Sequence, residues 1–368
     1  MAGEKRRYRL WLGFVLGTAY GRIQSLLEAY EGDSKAIFHD AALNVLPSFG
    51  AKNLEQNSIL HKNASEQYID KHLDYMKSKG IEAVLLEDEN YPALLKNIHR
   101  PPMALYVRGR LPKRISLPLA LIGSRSCTDY GKHMALKLSG ELAERGVCVV
   151  SGLAYGIDCF CAQGALTAKG NDFPTIAVLG GGVDVVYPMA NRKEYDRIIE
   201  CGAVISEQLP RTKPMASHFP QRNRIISGIS RGVVVIEAAQ RSGTSITVDF
   251  ALEQGRDVFA IPGRLTDIKS EGANRMITEG YARPVMSAKD ILQEYGVEYS
   301  AKASTPKVED SPLSLEQMLI LRLLQAGERS ADELAEMTGY SQMVLNFALT
   351  DMEFSGIIKQ SSGRLYSL

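Results

Sequence analysis

The 368-residue sequence lacks any excess of charge: 43 lysines and arginines face 42 aspartates and glutamates, a net of +1. Global basicity is thereby excluded as a way of holding a polyanion, and a nucleic-acid surface would have to come from local clustering. Cysteines are few, Cys127, Cys148, Cys159, Cys161 and Cys201. Their odd number, apolar surroundings and want of a CxxC pair point to buried free thiols in a reducing cytoplasm rather than a disulfide framework. Long hydrophobic runs are missing too. The opening MAGEKRRYRLWLGFVLG carries Arg9 inside a short apolar run with no small-residue cleavage site after it. It reads as a first helix, not a signal peptide, and no membrane span follows. The six histidines (39, 61, 72, 99, 133, 218) show no metal-ligand spacing, and no GxSxG or paired-carboxylate pattern stands out. There is no GxGxxG after the first strand of the middle region and no GxxxxGK[ST] anywhere, so no dinucleotide, triphosphate or other cofactor is indicated.

What is present is a large apolar fraction, 45%, with 23% charged residues, enough for a sizeable core in two or three domains. Residues 1–75 carry helical patterns only, broken at GTAYG, YEGDS and LPSFGAK, and read as a small helical domain. LPSFGAK faintly resembles a helix-hairpin-helix turn, although a plain turn serves as well. Residues 76–298 alternate strand and helix signals. After IEAVLL come apolar runs at 119–123, 147–151, 175–180, 203–207, 233–238 and 258–263, with helix-length segments between them. Continuous apolar strands alternating with helices are buried on both faces, which predicts a doubly wound parallel α/β sheet of extended Rossmann-like type. Residues 299–313 read as a linker, and 314–368 as three helices with a strand pair around SSGR, a winged helix.

Parallel sheets bind ligands beyond the carboxyl ends of their strands, where helix N-termini offer free N–H groups. GSRSCTDYG (123–131) and SGLAYGID (151–158) stand there, with Arg125 offering a fork that matches a phosphate. Taken singly, each turn also suits close helix packing. GGGVDVVYP follows the third strand, and its Gly181 and Gly182 permit close backbone approach. In HFPQRNRIISGIS, helical phasing puts Arg222 on one face with Ile225, Ile226 and Ile229, and Arg224 nearly opposite. An inward arginine has to be paired or to reach the strand ends. From Ser206 to Gly232, Arg211, Lys213, Arg222, Arg224 and Arg231 face Glu207 alone, a local excess of four. Ser242, Gly243 and Thr244 open a further small-residue turn.

In order along the chain, GSRSCTDYG, SGLAYGID, GGGVDVVYP, FPQRNRIISGIS, SGTSITVDFALEQGRDVFAIPG and EGANRMITEG resemble the motifs of the DNA-processing protein A family, also called DprA or Smf. The resemblance covers the whole chain. It implies a single-stranded DNA-binding recombination mediator that protects incoming strands in natural transformation and loads RecA, usually as a homodimer. The DNA pocket it implies uses Ser124, Arg125, Ser151, Gly152, Phe219, Arg222, Asn223, Arg224, Ser242, Gly243 and Thr244, with Gly181 and Gly182 beside them. A base can stack on Phe219.

Two departures bear on function. Many members read GIDAAAH where this chain has GIDCFCA, so Ala162 replaces a histidine, which favours a binder over an enzyme. The third helix of the winged-helix region carries Asp351 and Glu353 and no cation. Over 314–368, four basic residues face seven acidic ones, a net of −3, so a structural or protein-contact role is expected there. The alternative, a Rossmann-like nucleotide phosphoribohydrolase, needs a glutamate where Thr247 stands.

Overall fold

The computed structural model describes residues 2–48, 51–240, 242–297, 314–354, 357–361 and 365–368. The chain divides into two compact units, residues 1–298 and 299–368.

In the first unit five helices come first: α1 (Ala2–Leu16), α2 (Tyr20–Ala29), α3 (Ser34–Ala42), α4 (Ala51–Lys62) and α5 (Glu66–Ser78). Strands β1 (Glu82–Leu85) and β2 (Ala104–Gly109) form an antiparallel pair, and β2 runs antiparallel to β6. Then follow β3 (Pro118–Gly123), α6 (Asp129–Ala143), β4 (Cys148–Ser151), α7 (Ile157–Ala165), β5 (Thr175–Val178), α8 (Arg192–Cys201) and β6 (Ala203–Ser206). The series continues with α9 (His218–Ile229), β7 (Gly232–Glu237), α10 (Gly243–Glu253), β8 (Asp257–Ala260), α11 (Glu271–Thr278), β9 (Arg283–Pro284) and α12 (Ala288–Glu294). Among the described residues the sheet has nine strands in the order β1-β2-β6-β5-β4-β3-β7-β8-β9, parallel from β6 to β9.

The expected doubly wound sheet is present, and the apolar runs are buried as expected: every residue of β4, β5, β6 and β7 is buried. The antiparallel edge was not expected, because β2 emerges directly from a proline-rich passage that breaks the alternation. Its pleat shows why the edge exists. Leu105 and Val107 turn to the main core, while Ala104 and Tyr106 turn to a second core under the helices. In β1, Val84 likewise faces one way and Ala83 and Leu85 the other, the period of two expected of a strand between two layers. The helical segment therefore shares its core with the sheet. Trp11, wholly buried there, donates from Nε1 to Asn63 O at 2.8 Å.

Phe49 and Gly50 of the LPSFGAK turn lie outside the described residues. Beside that turn, buried Arg22 donates to Pro47 O at 2.8 Å and to Asn57 Oδ1, tying α2 to α4. The 299–313 segment also lies outside them, as do Ser362–Arg364 of the SSGR turn.

The second unit has α13 (Leu315–Leu324), β10 (Arg329–Ser330), α14 (Ala331–Thr338), α15 (Gln342–Phe354), β11 (Lys359–Ser361) and β12 (Leu365–Ser367). Ser314 and Ser330 each close a capping box, with Gln317 and Glu333, which fixes the starts of α13 and α14. Three helices around Ile320, Leu324, Leu334, Leu345, Leu349 and Met352, with a small sheet in the order β10-β12-β11, make a winged helix.

Candidate functional site

The order of connection reverses at β3. From it the chain runs outward through β4, β5 and β6, then returns to β7 on its other side and leaves through β8 and β9. Such a reversal opens a crevice beyond the strand ends. Here it is a cleft of about 750 Å³, walled by Ser124 and Arg125 after β3, by Phe219 and Asn223 of α9, and by Ser242, Gly243 and Thr244 at the start of α10. A smaller hollow opening beside it is lined by Gly152, Gly180, Gly181, Tyr187 and Phe219.

Arg222 forms the floor. It is 6% exposed, its Nη1 donates to Gly152 O at 2.8 Å and to Val178 O, and its Nε donates to Asn223 Oδ1 at 3.2 Å. One side chain thus ties together the ends of β4 and β5 and orients its neighbour on α9. Burial pulls the guanidinium down to about 10, partly offset by the Asp158 carboxylate, so it stays charged at neutral pH. Asp158, buried below, accepts from Gly152 N at 3.0 Å, and burial pushes its carboxyl up against the pull of Arg222. A Cβ at Gly152 would lie 2.6 Å from the guanidinium, so a larger residue there would have to displace Arg222. Gly156 has φ of +72°, and a Cβ on it would lie 2.3 Å from Ser124 O, so this glycine lets the turns after β3 and β4 meet.

Above the floor, the Arg125 guanidinium stands 5.4 Å from the centre of the Phe219 ring and that of Arg222 5.9 Å from it, while Tyr187 lies 5.6 Å away at 37°. Arg125 is exposed and enters no ion pair among the described residues. Lys269, in the loop after β8, donates to Ser126 O at 2.6 Å and to Ser126 Oγ at 3.0 Å, on the same wall. At the start of α10, Ser242 Oγ accepts from Thr244 N at 3.3 Å. Buried Glu237 accepts from Thr128 N at 3.1 Å and pins α6 against β7.

The structure therefore brings Ser124, Arg125, Gly152, Gly181, Phe219, Arg222, Asn223, Ser242, Gly243 and Thr244 to the cleft and its side hollow. Three expected residues do not line it. Ser151 is fully buried and donates to Asp158 O at 3.3 Å. Gly182 donates to Thr212 O at 2.9 Å, and a Cβ on it would strike Leu209 O and Arg211 N. Arg224, on the opposite face of α9 as its phasing requires, makes a two-pronged bond to Glu207 at 2.6 Å and donates to Arg100 O at 2.9 Å. Sequence reading missed Tyr187, Lys269 and Asp158. Tyr187 is the penultimate residue of GGGVDVVYP and Asp158 closes SGLAYGID, so both were inside quoted motifs, whereas a lone lysine in a loop carries no signal. His218 has its Nδ1 3.0 Å from Gly180 O, a bracing position. Ala162 lies in a buried cluster with Leu153, Leu179 and Tyr195, away from the cleft, while Thr247 lines the cleft itself.

A family profile described as DNA recombination-mediator protein A matches residues 82–296, and one described as the DprA winged helix domain matches 304–364. The chain belongs to the DNA recombination-mediator protein A, or DprA, family. Among its relatives, Protein Smf of Escherichia coli (strain K12) is 32% identical over 358 residues, 93% of each chain. DNA processing protein DprA of Bacillus subtilis (strain 168) is 39% identical over 237 residues, 63% of this chain and 78% of that one. The X-ray structure of DprA from Streptococcus pneumoniae superposes with a TM-score of 0.67 at 35% identity, covering 80% of this chain and 99% of that one. A Helicobacter pylori DprA structure, described as giving insight into a unique single-stranded DNA binding mode, superposes with a TM-score of 0.52 at 28% identity, covering 60% and 98%. Among the described residues, no helix of this DprA family member is long and apolar enough to cross a membrane, and all five cysteines are free.

Proposed function

We propose that the cleft binds single-stranded DNA, and that the protein works in the cytoplasm as a recombination mediator that shields incoming strands in natural transformation and passes them to RecA, as a homodimer. One observation carries the DNA reading: the cleft sets an exposed, unpaired cation, Arg125, against the Phe219 ring, with Tyr187 beside that ring, at the open ends of parallel strands. Cations and free amides suit phosphates, and rings accept any base, which is the sequence-tolerant chemistry of single-strand binding. The relative from Helicobacter pylori described by its single-stranded DNA binding mode supports the same reading.

A binding rather than an enzymatic role is supported by the cleft's lining. Asp158 points at backbone N–H and Arg222, and Thr247 stands where the alternative reading needs an acid. We assign the winged helix to protein contact. On α15, Met343 is 82% and Phe347 77% exposed, beside Asp351 and Glu353, which is a poor match to a phosphate backbone.

Gel shifts with single- and double-stranded oligonucleotides, with a nucleoside-monophosphate hydrolysis assay on the same sample, test the reading. Preference for the single strand without hydrolysis is expected; hydrolysis, or equal binding to duplex, overturns it. RecA assembly on a strand already covered by the protein tests the mediator role.

A further inference from the structure

The basic excess between Ser206 and Gly232 is only partly absorbed by the cleft. Arg222 is buried and donates to the carbonyls of Gly152 and Val178, Arg224 is neutralised by Glu207, and Arg231 lies 5.7 Å from the Tyr295 ring. That leaves Arg211 and Lys213, both exposed and in no ion pair among the described residues, on the loop that runs from β6 to α9. This loop is the cleft's outer wall: its Pro214 and Ala216 line the cleft, and Thr212 O accepts from Gly182 N at 2.9 Å. Its far side lines a separate hollow of about 60 Å³, shared with Lys71, His72 and Tyr75 of α5.

Arg211 is held there with care. Its φ is +70°, in the left-handed region that a side-chain-bearing residue rarely takes. Asp184 supports the conformation by accepting from Arg211 N at 2.7 Å and from Tyr75 Oη at 2.5 Å. The guanidinium lies on the Tyr75 ring, 3.6 Å from its centre, which leaves its N–H edge turned away from the ring. Strain maintained by surrounding structure is a mark of functional positions. Helical phasing puts Lys71 and His72 within about 60° of Tyr75 on α5, while Asp74 is about 100° away. The face of the helix that carries Tyr75 thus also carries Lys71 and is continuous with the loop.

Building on the reading of the cleft as a single-strand site, we propose that a strand leaving it crosses the 210–214 loop on to α5, where Arg211 and Lys71 hold its backbone phosphates. The helical segment is then part of the DNA track, and the site is longer than the cleft.

Fluorescence anisotropy of the full-length protein with labelled oligo-dT of about 6 and about 20 nucleotides tests this, within the span of single-strand sites. In the Lys71→Ala, Arg211→Gly double variant, whose glycine keeps the backbone conformation, affinity for the long oligomer should fall about tenfold. Its log–log salt slope should shrink by roughly 1.4, at ~0.7 per lost phosphate. The short oligomer should bind as to wild type. Lys71→Glu alone, remote from the loop's backbone, should reproduce the selective loss. Equal loss on both lengths, or none on either, overturns the extended track. If Arg125→Ala leaves the short oligomer's binding unchanged, the cleft reading itself falls and the track with it, a distinct result.

Discussion

Replacing Arg222 by alanine should damage the fold before it damages DNA binding. The guanidinium is 6% exposed, and its removal leaves the carbonyls of Gly152 and Val178 without their donor and takes away a nearby positive charge that favours the buried Asp158 carboxylate. Each unsatisfied buried carbonyl costs about 1–3 kcal/mol, and two lose their donor here. Their combined loss is about 2–5 kcal/mol, a large share of the ~5–15 kcal/mol that holds a typical domain. Urea denaturation followed by circular dichroism would read it as a lower midpoint at unchanged slope. The loss should depend on pH with a definite sign. Burial raises the Asp158 carboxyl in the folded state, and losing Arg222 raises it further. A raised folded value means stability present at low pH is lost as pH rises through it, so the variant's deficit should be smaller near about pH 4 than near about pH 8. Arg222→Met with Asp158→Asn, which removes both charges, should recover part of the stability. A midpoint shift worth less than about 1 kcal/mol together with a tenfold loss of single-strand affinity would refute the brace and make Arg222 a direct DNA ligand.

Other perturbations separate binding from folding. Phe219→Ala should weaken single-strand binding by ~1–3 kcal/mol, whatever the sequence, as anisotropy with oligo-dT and oligo-dA would show. Gly156→Ala should lower the melting midpoint by several degrees, since its Cβ would strike Ser124 O and its φ of +72° is strained for alanine. Burial raises the thiols of Cys127, Cys148, Cys159, Cys161 and Cys201, so reaction with a disulfide reagent should be slow in the native protein and fast once it is unfolded in guanidinium.

The sheet was legible because strands buried on both faces print uninterrupted apolar runs, and VVVIE of β7 is buried throughout. The edge pair was not, because β2 is read against Pro101 and Pro102 and finds its partners 20 residues before it and nearly 100 after it. Phasing of α9 separated Arg222 from Arg224 correctly, yet the groups that hold them, the carbonyls of Gly152 and Val178 and the carboxylate of Glu207, sit on other elements. Only the fold decides which of a run of cations keeps its charge available. The same limit hid Lys269, whose partner Ser126 is 143 positions away.

Arg125 and Phe219 are coupled before DNA arrives, and the coupling has a measurable sign. A base that stacks on the exposed face of Phe219 takes the place the Arg125 guanidinium now holds, 5.4 Å from the ring centre. Binding then breaks one cation–π contact, about 0.5–1 kcal/mol at an exposed site, and frees the guanidinium for a phosphate. Arg125→Ala loses the phosphate contact but is relieved of that cost, and Phe219→Ala loses the base stack but is relieved of the same cost. Adding the two single losses counts the relief twice. The double variant should therefore lose about 0.5–1 kcal/mol more single-strand affinity than the sum of the singles. Additivity within about 0.3 kcal/mol would mean that the base docks without moving Arg125, on Tyr187 or on the opposite face of the ring.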